Sequence, residues 1–367
     1  MKKIVLRLLF MSMISMTAFA GDGGGGGGGT AVVEPAELNP EAGGYTLERV
    51  LVGHTNVVQG VAALPGGRIV SGSRDGTIRV WDRYTGEQEM LFEGHTDWVN
   101  SVAVLPNGMI VSGSADRSIR VWNADTGELL ATLRGHPNQV TCVAALSDGR
   151  IVSGSLDRTI RVWNPDTGKQ MMLLEGHTDG VTSVATLSDG RIVSGSLDRT
   201  IRVWNPAIAA GQPGHVVVLQ GHTGIVYCIA VMSDGRIVSG SYDRTIRVWN
   251  PDTEELLVAL RGHTGRVTSV ASLPDGSIVS GSNDTSIRVW NPDTGEQMML
   301  LEGHVGILCS VAALSNGGII SGSFDGTVRV WLPNAPLAQK ASKAVPALYP
   351  GKVEFFTRVS YDLDIVD

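Results

Sequence analysis

A histidine, a serine 17 residues later, an aspartate four further on and a tryptophan six beyond that form a set that could do chemistry: His54, Ser71, Asp75 and Trp81. Serine, histidine and aspartate within hydrogen-bond reach are the parts of a hydrolase triad, the serine as nucleophile and the histidine as base. The set returns at the same spacing as His95, Ser112, Asp116 and Trp122, then as His136, Ser153, Asp157 and Trp163, and as His177, Ser194, Asp198 and Trp204. Three more copies follow: His222, Ser239, Asp243 and Trp249; His263, Ser280, Asp284 and Trp290; His304, Ser321, Asp325 and Trp331. Catalysis needs one activated nucleophile and one oxyanion hole. Repetition in every unit marks structure instead, so no catalytic residue is assigned. A metal shared among the histidines is not expected either, because each stands in a different unit, too far from the others for ligands at about 2 Å. No cofactor is expected.

The elements that must position these residues follow from the period. Successive Gly-His histidines are 41, 41, 41, 45, 41 and 41 residues apart, a spacing that marks a propeller built from four-stranded sheets. In the first unit residues 57–64 alternate as a strand, 65–67 (PGG) turn, 68–73 form a second strand and 75–76 (DG) turn again. Residues 77–81 supply the third strand, 84–86 (YTG) a turn, and 87–92 the fourth. Such a sheet is apolar on both faces, and seven arranged radially bury those faces against one another. The seventh unit stops at Trp331 without a fourth strand, whereas Tyr45–Val52 (YTLERVLV) precedes the first Gly-His as an orphan. If the orphan completes the last sheet, the ring closes without an open edge. The expected fold is therefore all-β: a seven-bladed β-propeller of four-stranded antiparallel blades over residues 45–331, closed by an N-terminal strand.

Gly135-His136, then SGSLD at 153–157, then IRVW at 160–163 carry a specific resemblance to the WD-repeat (β-transducin-like) family, and the pattern extends over about residues 45–331. The chain departs from it in the Trp-Asp pair, present only as Trp81-Asp82; five units have Trp-Asn and the last Trp331-Leu332. The tryptophan carries the packing, so the fold is not in question. The resemblance implies the same ring closure and, in each unit, a buried hydrogen-bonded chain from Asp to His to Ser to Trp. It also implies interaction positions three and five residues after the histidine and one before the aspartate. Here these are Val57, Gln59 and Arg74; Trp98, Asn100 and Ala115; Gln139, Thr141 and Leu156; Gly180, Thr182 and Leu197; Ile225, Tyr227 and Tyr242; Arg266, Thr268 and Asn283; Ile307, Cys309 and Phe324. In a four-stranded meander the fourth-to-first connection and the second-to-third turn share a rim, so all of these lie on one face. Aromatic residues and arginine are the usual anchors of binding hot spots. The partner-binding candidates are thus Trp98, Tyr227, Tyr242, Phe324, Arg74 and Arg266, with Ile225, Ile307, Leu156 and Leu197 beside them.

Outside the repeat, Lys2, Lys3 and Arg7 precede an apolar stretch at 8–19, and Ala18-Phe19-Ala20 supplies a small-x-small cleavage pattern. Residues 1–20 read as a cleaved export signal, placing the mature protein in a periplasmic or extracellular space. The stretch is shorter than the roughly 20 residues a spanning helix needs, so stable membrane insertion is not expected. Residues 21–44, with seven consecutive glycines at 23–29, read as a linker. Residues 332–367 form a tail of unreadable role, with a β-like run at 353–359. The fourth unit is longer by four residues, and 207–215 (AIAAGQPGH) falls on the opposite rim; its His215 reads as a solvated loop residue. A formal charge of −7 argues against nucleic acid as a partner. Cys142, Cys228 and Cys309 signal neither a disulfide framework nor a zinc site. The favoured function is a non-catalytic, exported, monomeric scaffold that binds protein partners through one rim. Carbohydrate or small-ligand binding in the central channel, helped by Tyr227, Tyr242 and Trp98, is the alternative. An enzyme at the channel mouth comes third, since no acid–base pair stands off the repeat pattern.

Overall fold

The computed structural model describes residues 44–207 and 215–334. The export signal, the glycine run, residues 208–214 of the extension and the tail from residue 335 lie outside the described residues.

Seven four-stranded antiparallel sheets make up the fold. Blade 1 runs Val58–Ala63, Arg68–Ser73, Ile78–Asp82 and Gln88–Phe92, each strand paired with the next. Blades 2 to 6 repeat this order. Each first strand contacts the first strands of the blades on both sides, and the first strand of blade 7, Leu308–Ala313, returns to that of blade 1. The first strands therefore form the inner ring. Every first strand is bulged against the second at one position, skipping Gln59, Asn100, Thr141, Thr182, Tyr227, Thr268 and Cys309 in turn. A bulge re-aims the side chain it carries.

The core lies between blades. Val70, Ile78, Val80 and Phe92 of blade 1 pack with Val99, Val102, Ile110 and Trp122 of blade 2, and equivalent clusters recur around the ring. The IVSGS run of the second strands is buried throughout, which explains its composition. At Gly72 a Cβ would stand 2.7 Å from Val99 Cγ1 of the next blade, so only glycine admits this close an approach.

Blade 7 is completed by the N-terminal strand: Tyr45–Val52 pairs antiparallel with Thr327–Pro333, from Tyr45↔Pro333 to Val52↔Thr327. Pairing thus runs two residues past Trp331, where the sequence pattern stops. Leu51 packs among Val328 and Val330 of blade 7 and Val58 and Ile69 of blade 1. The Tyr45 hydroxyl donates to the Gly317 carbonyl at 2.8 Å, and burial, aided by nearby Asp275, pushes its pKa up to about 12.

Candidate functional site

In all seven blades the repeated set is one hydrogen-bonded chain. The Trp Nε1–H donates to the Ser Oγ at 2.8–2.9 Å, and the hydroxyl stands 2.7–2.8 Å from His Nε2. His Nδ1 stands 2.7–2.9 Å from the Asp Oδ2. With the hydroxyl donating to Nε2 and Nδ1–H donating to the carboxylate, every group is used. The seven serines are fully buried, so no substrate can reach them as nucleophiles. Burial alone would raise each aspartate's pKa. Hydrogen bonds from the histidine and from the Thr or Ser two residues on outweigh it and hold all seven carboxyls below their usual range. Burial lowers the pKa of His222 and His304.

The rim carrying these loops is built on the same frame. The backbone N–H of the residue before each aspartate donates to the carbonyl three residues after the histidine, at 2.9–3.1 Å in every blade. The two interaction positions are therefore braced against each other. Their side chains then reach the neighbouring blade. Arg74 of blade 1 lies over the Trp98 ring of blade 2 at 4.4 Å and over the Phe324 ring of blade 7 at 4.9 Å. Arg266 of blade 6 lies 5.6 Å from the Tyr227 ring and 5.9 Å from the Tyr242 ring, both of blade 5, and donates to the Tyr227 hydroxyl at 3.2 Å. Tyr242 and Phe324 are exposed; Trp98, Tyr227, Arg74, Arg266, Ile225, Ile307, Leu156 and Leu197 are half-buried. Leu156 and Leu197 come together over Gly180, whose missing side chain leaves them room.

Several other positions implied by the resemblance serve the ring itself. Thr141 and Thr268 donate to the carbonyls of Val181 and Leu308 in the next blade at 2.7 and 2.6 Å. Thr182 does the same to Val226, and the Asn100 amide donates to Val140 at 2.9 Å. Val57 and Ala115 are buried. His215 also differs from expectation: it is half-buried, with its ring edge-on to Trp204 at 6.5 Å.

At the opposite end of the inner ring, residues 104–106, 145–147, 186–188 and 231–233 line a cavity of about 440 Å³ with apolar and hydroxyl side chains and no titratable group. Burial pushes the Cys142 and Cys309 thiols up to about 12, and that of Cys228 higher still, which suits packing rather than nucleophilic chemistry. Among the described residues no three metal-type ligands cluster.

The profile of the family described as WD domain, G-beta repeat matches residues 45–82, 86–123, 127–164, 168–205, 213–250, 254–291 and 295–331. The chain belongs to the WD-repeat family. Each matched segment joins the outer strand of one blade to the first three strands of the next, so the offset that closes the ring is present in the repeat unit itself. The WD40 β-propeller domain of Doa1 is a similar solved structure, with 30% sequence identity, a TM-score of 0.69, and coverage of 79% of this chain and 97% of that one. A search of curated protein sequences finds no match. WD-repeat propellers are typically protein-interaction scaffolds without catalytic activity, which agrees with the buried serines of this one.

Sequence reasoning missed the arginine of the IRVW strand. In this WD-repeat chain Arg120 lies 5.8 Å from the Trp122 ring, and its guanidinium and the ring edge fill the space that a side chain on Gly94, next to the histidine, would need. The same pair covers Gly176 and Gly221. The strict Gly-His and Arg-x-Trp spacing was the available signal.

Proposed function

We propose that this WD-repeat protein is an exported, non-catalytic scaffold that holds protein partners on the rim carrying the Gly-His loops. One observation carries the reading. Trp98, Tyr227, Tyr242, Phe324, Arg74 and Arg266 gather on adjoining blades 5, 6, 7, 1 and 2 of that rim, as two arginines laid against four aromatic rings. Rigid aromatics and arginines held by a scaffold are what hot spots are made of. A partner recovered with the mature protein supplies the test. Tyr242→Ala, Trp98→Ala and Phe324→Ala are each expected to leave the melting temperature within a few degrees, and at least one to weaken the partner by about 2 kcal/mol, roughly thirtyfold. Deleting 207–215, the extension between the third and fourth strands of blade 4, should leave binding unchanged. Loss of binding on that deletion, with all three aromatic truncations silent, would move the docking surface to the other face.

Export rests on the basic start, the apolar stretch and Ala18-Phe19-Ala20. Mass spectrometry of the protein recovered outside the cytoplasm is expected to find an N-terminus near Gly21. Soluble cytoplasmic protein retaining Met1 as its main form would refute it.

A further inference from the structure

We infer that Arg74 and Arg266 form a two-point receptor for the carboxylates of an acidic peptide segment on the partner, an inference that rests on the docking reading above. Four observations support it.

Charge comes first. On the opposite rim several arginines are neutralised within the ring, although Arg83 there meets only the Tyr84 ring and hydroxyl. Arg68 pairs with Asp125, Arg191 with Asp189 and Asp252, and Arg236 with Asp234 and Asp293, at 2.7–2.8 Å. Among the described residues neither Arg74 nor Arg266 has a carboxylate within ion-pair distance, although the chain as a whole carries −7. Two cations without counter-charge thus stand on a protein of net negative charge.

Geometry comes second. The Arg74 guanidinium lies over the Trp98 and Phe324 rings, which leaves its in-plane N–H groups as the open direction, whereas Arg266 already donates one N–H to the Tyr227 hydroxyl. With its amide oriented to satisfy both residues, Gln59 accepts from Arg74 Nε and Nη2 at 2.9 and 3.0 Å. Two of five donors are then used, and the others remain available to an in-plane acceptor. A carboxylate fits that fork in a way a neutral amide does not.

Convergence comes third. Blades 1 and 6 flank blade 7, and the positive fields of Arg74 and Arg266 both reach the half-buried Cys309 of that blade, each opposing the effect of desolvation on its thiol. The two cations therefore stand on either side of blade 7. Surroundings come fourth. Exposed Tyr242 and Phe324 border the arginines, and half-buried Ile225 and Ile307 are bonded to these two through their backbones, so a segment that alternates acidic with apolar residues matches both the charges and the rings. Partial burial of the guanidiniums strengthens each charge-assisted bond relative to an exposed one.

Fluorescence anisotropy of a labelled (Asp-Leu)4 peptide with the full mature protein tests this directly, with (Asn-Leu)4 as the neutral control. The acidic peptide is expected to bind at least tenfold more tightly than the control and to weaken with added salt. Arg74→Gln and Arg266→Gln should each weaken it by roughly tenfold, and the double variant should fall to the level of the control. Arg74→Lys should recover only part of the loss, because it restores charge without the fork. Equal binding of the two peptides by the unaltered protein overturns the proposal, and that comparison holds even if a variant fails to fold. A double variant that melts normally and binds (Asp-Leu)4 at full strength also overturns it. If the arginine variants are silent while the aromatic truncations weaken the recovered partner, the receptor is refuted and the docking face stands.

Discussion

A chain lacking Tyr45–Val52 is expected to lose the single cooperative melting transition of the intact ring. The strand is the outer member of blade 7 and buries Leu51 and Tyr45, at 1% and 6% exposure. Removing two such side chains forfeits about 2–3 kcal/mol each, before the paired backbone and the Tyr45–Gly317 bond are counted. The sum is about 5 kcal/mol or more, comparable with the whole stability of an ordinary domain, about 5–15 kcal/mol. The loss also uncovers the Thr327–Pro333 edge, a template for pairing with another chain. Calorimetry should show a broad, lowered transition and light scattering should show association. Leu51→Ala, which keeps the strand, should cost only about 2–5 kcal/mol and remain cooperative. A deletion variant that melts as sharply and as high as the full chain would remove the closing role from this strand.

Asp198→Ala is the second large effect expected. The carboxylate accepts from His177 Nδ1 at 2.7 Å, from the Thr178 and Thr200 backbone N–H groups at 3.0 and 2.9 Å, and from the Thr200 hydroxyl at 2.7 Å. Truncation strands these donors in a site where the Asp198 side chain is only 6% exposed and His177 is not exposed at all. We expect a loss of about 3 kcal/mol. Asp157→Ala should cost somewhat less, because Pro137 follows His136 and has no N–H to strand. The same groups set the acid response. The aspartates are depressed in the folded state, so their contribution is complete above the unfolded value of about 4 and is lost as pH falls through the folded values. His222 and His304 are also depressed, so their contribution starts to fade below about 6.5. A melting temperature that declines gently below pH 6.5 and steeply below pH 4 is the expected profile. One that stays flat from pH 7 to pH 3 would show that the chains do not hold the blades.

What could be seen in the sequence was whatever repeats. The Gly-His period located the blades, and the first strand expected at 57–64 is observed at Val58–Ala63. The orphan YTLERVLV could be matched to the missing fourth strand because both are defects of one period. What could not be seen depends on how one blade meets the next. Nothing in the spacing of Arg74 places it between Trp98 and Phe324, which are 24 and 250 residues away. Nor does composition separate Thr141 and Thr268, which bond the next blade, from Tyr227 at the same repeat position, which faces Arg266 on the rim. The bulge puts all of them at one backbone site, and the volume and chemistry of each side chain decide whether it bonds the backbone of the next blade or meets a side chain of its rim.

The closing strand also imposes an order in time. Tyr45 is made early, yet its partner Gly317 lies 272 residues further along the chain. At synthesis rates of about 5–20 residues per second that is a wait of roughly 14–54 s. Six blades can assemble from neighbouring residues during that interval, but the seventh cannot, and a nascent ring remains a gapped arc with an unmated apolar strand at its leading end. Maturity arrives in one late event, the meeting of the oldest and youngest strands. Any factor that occupies Tyr45–Val52 during synthesis would hold the whole propeller open.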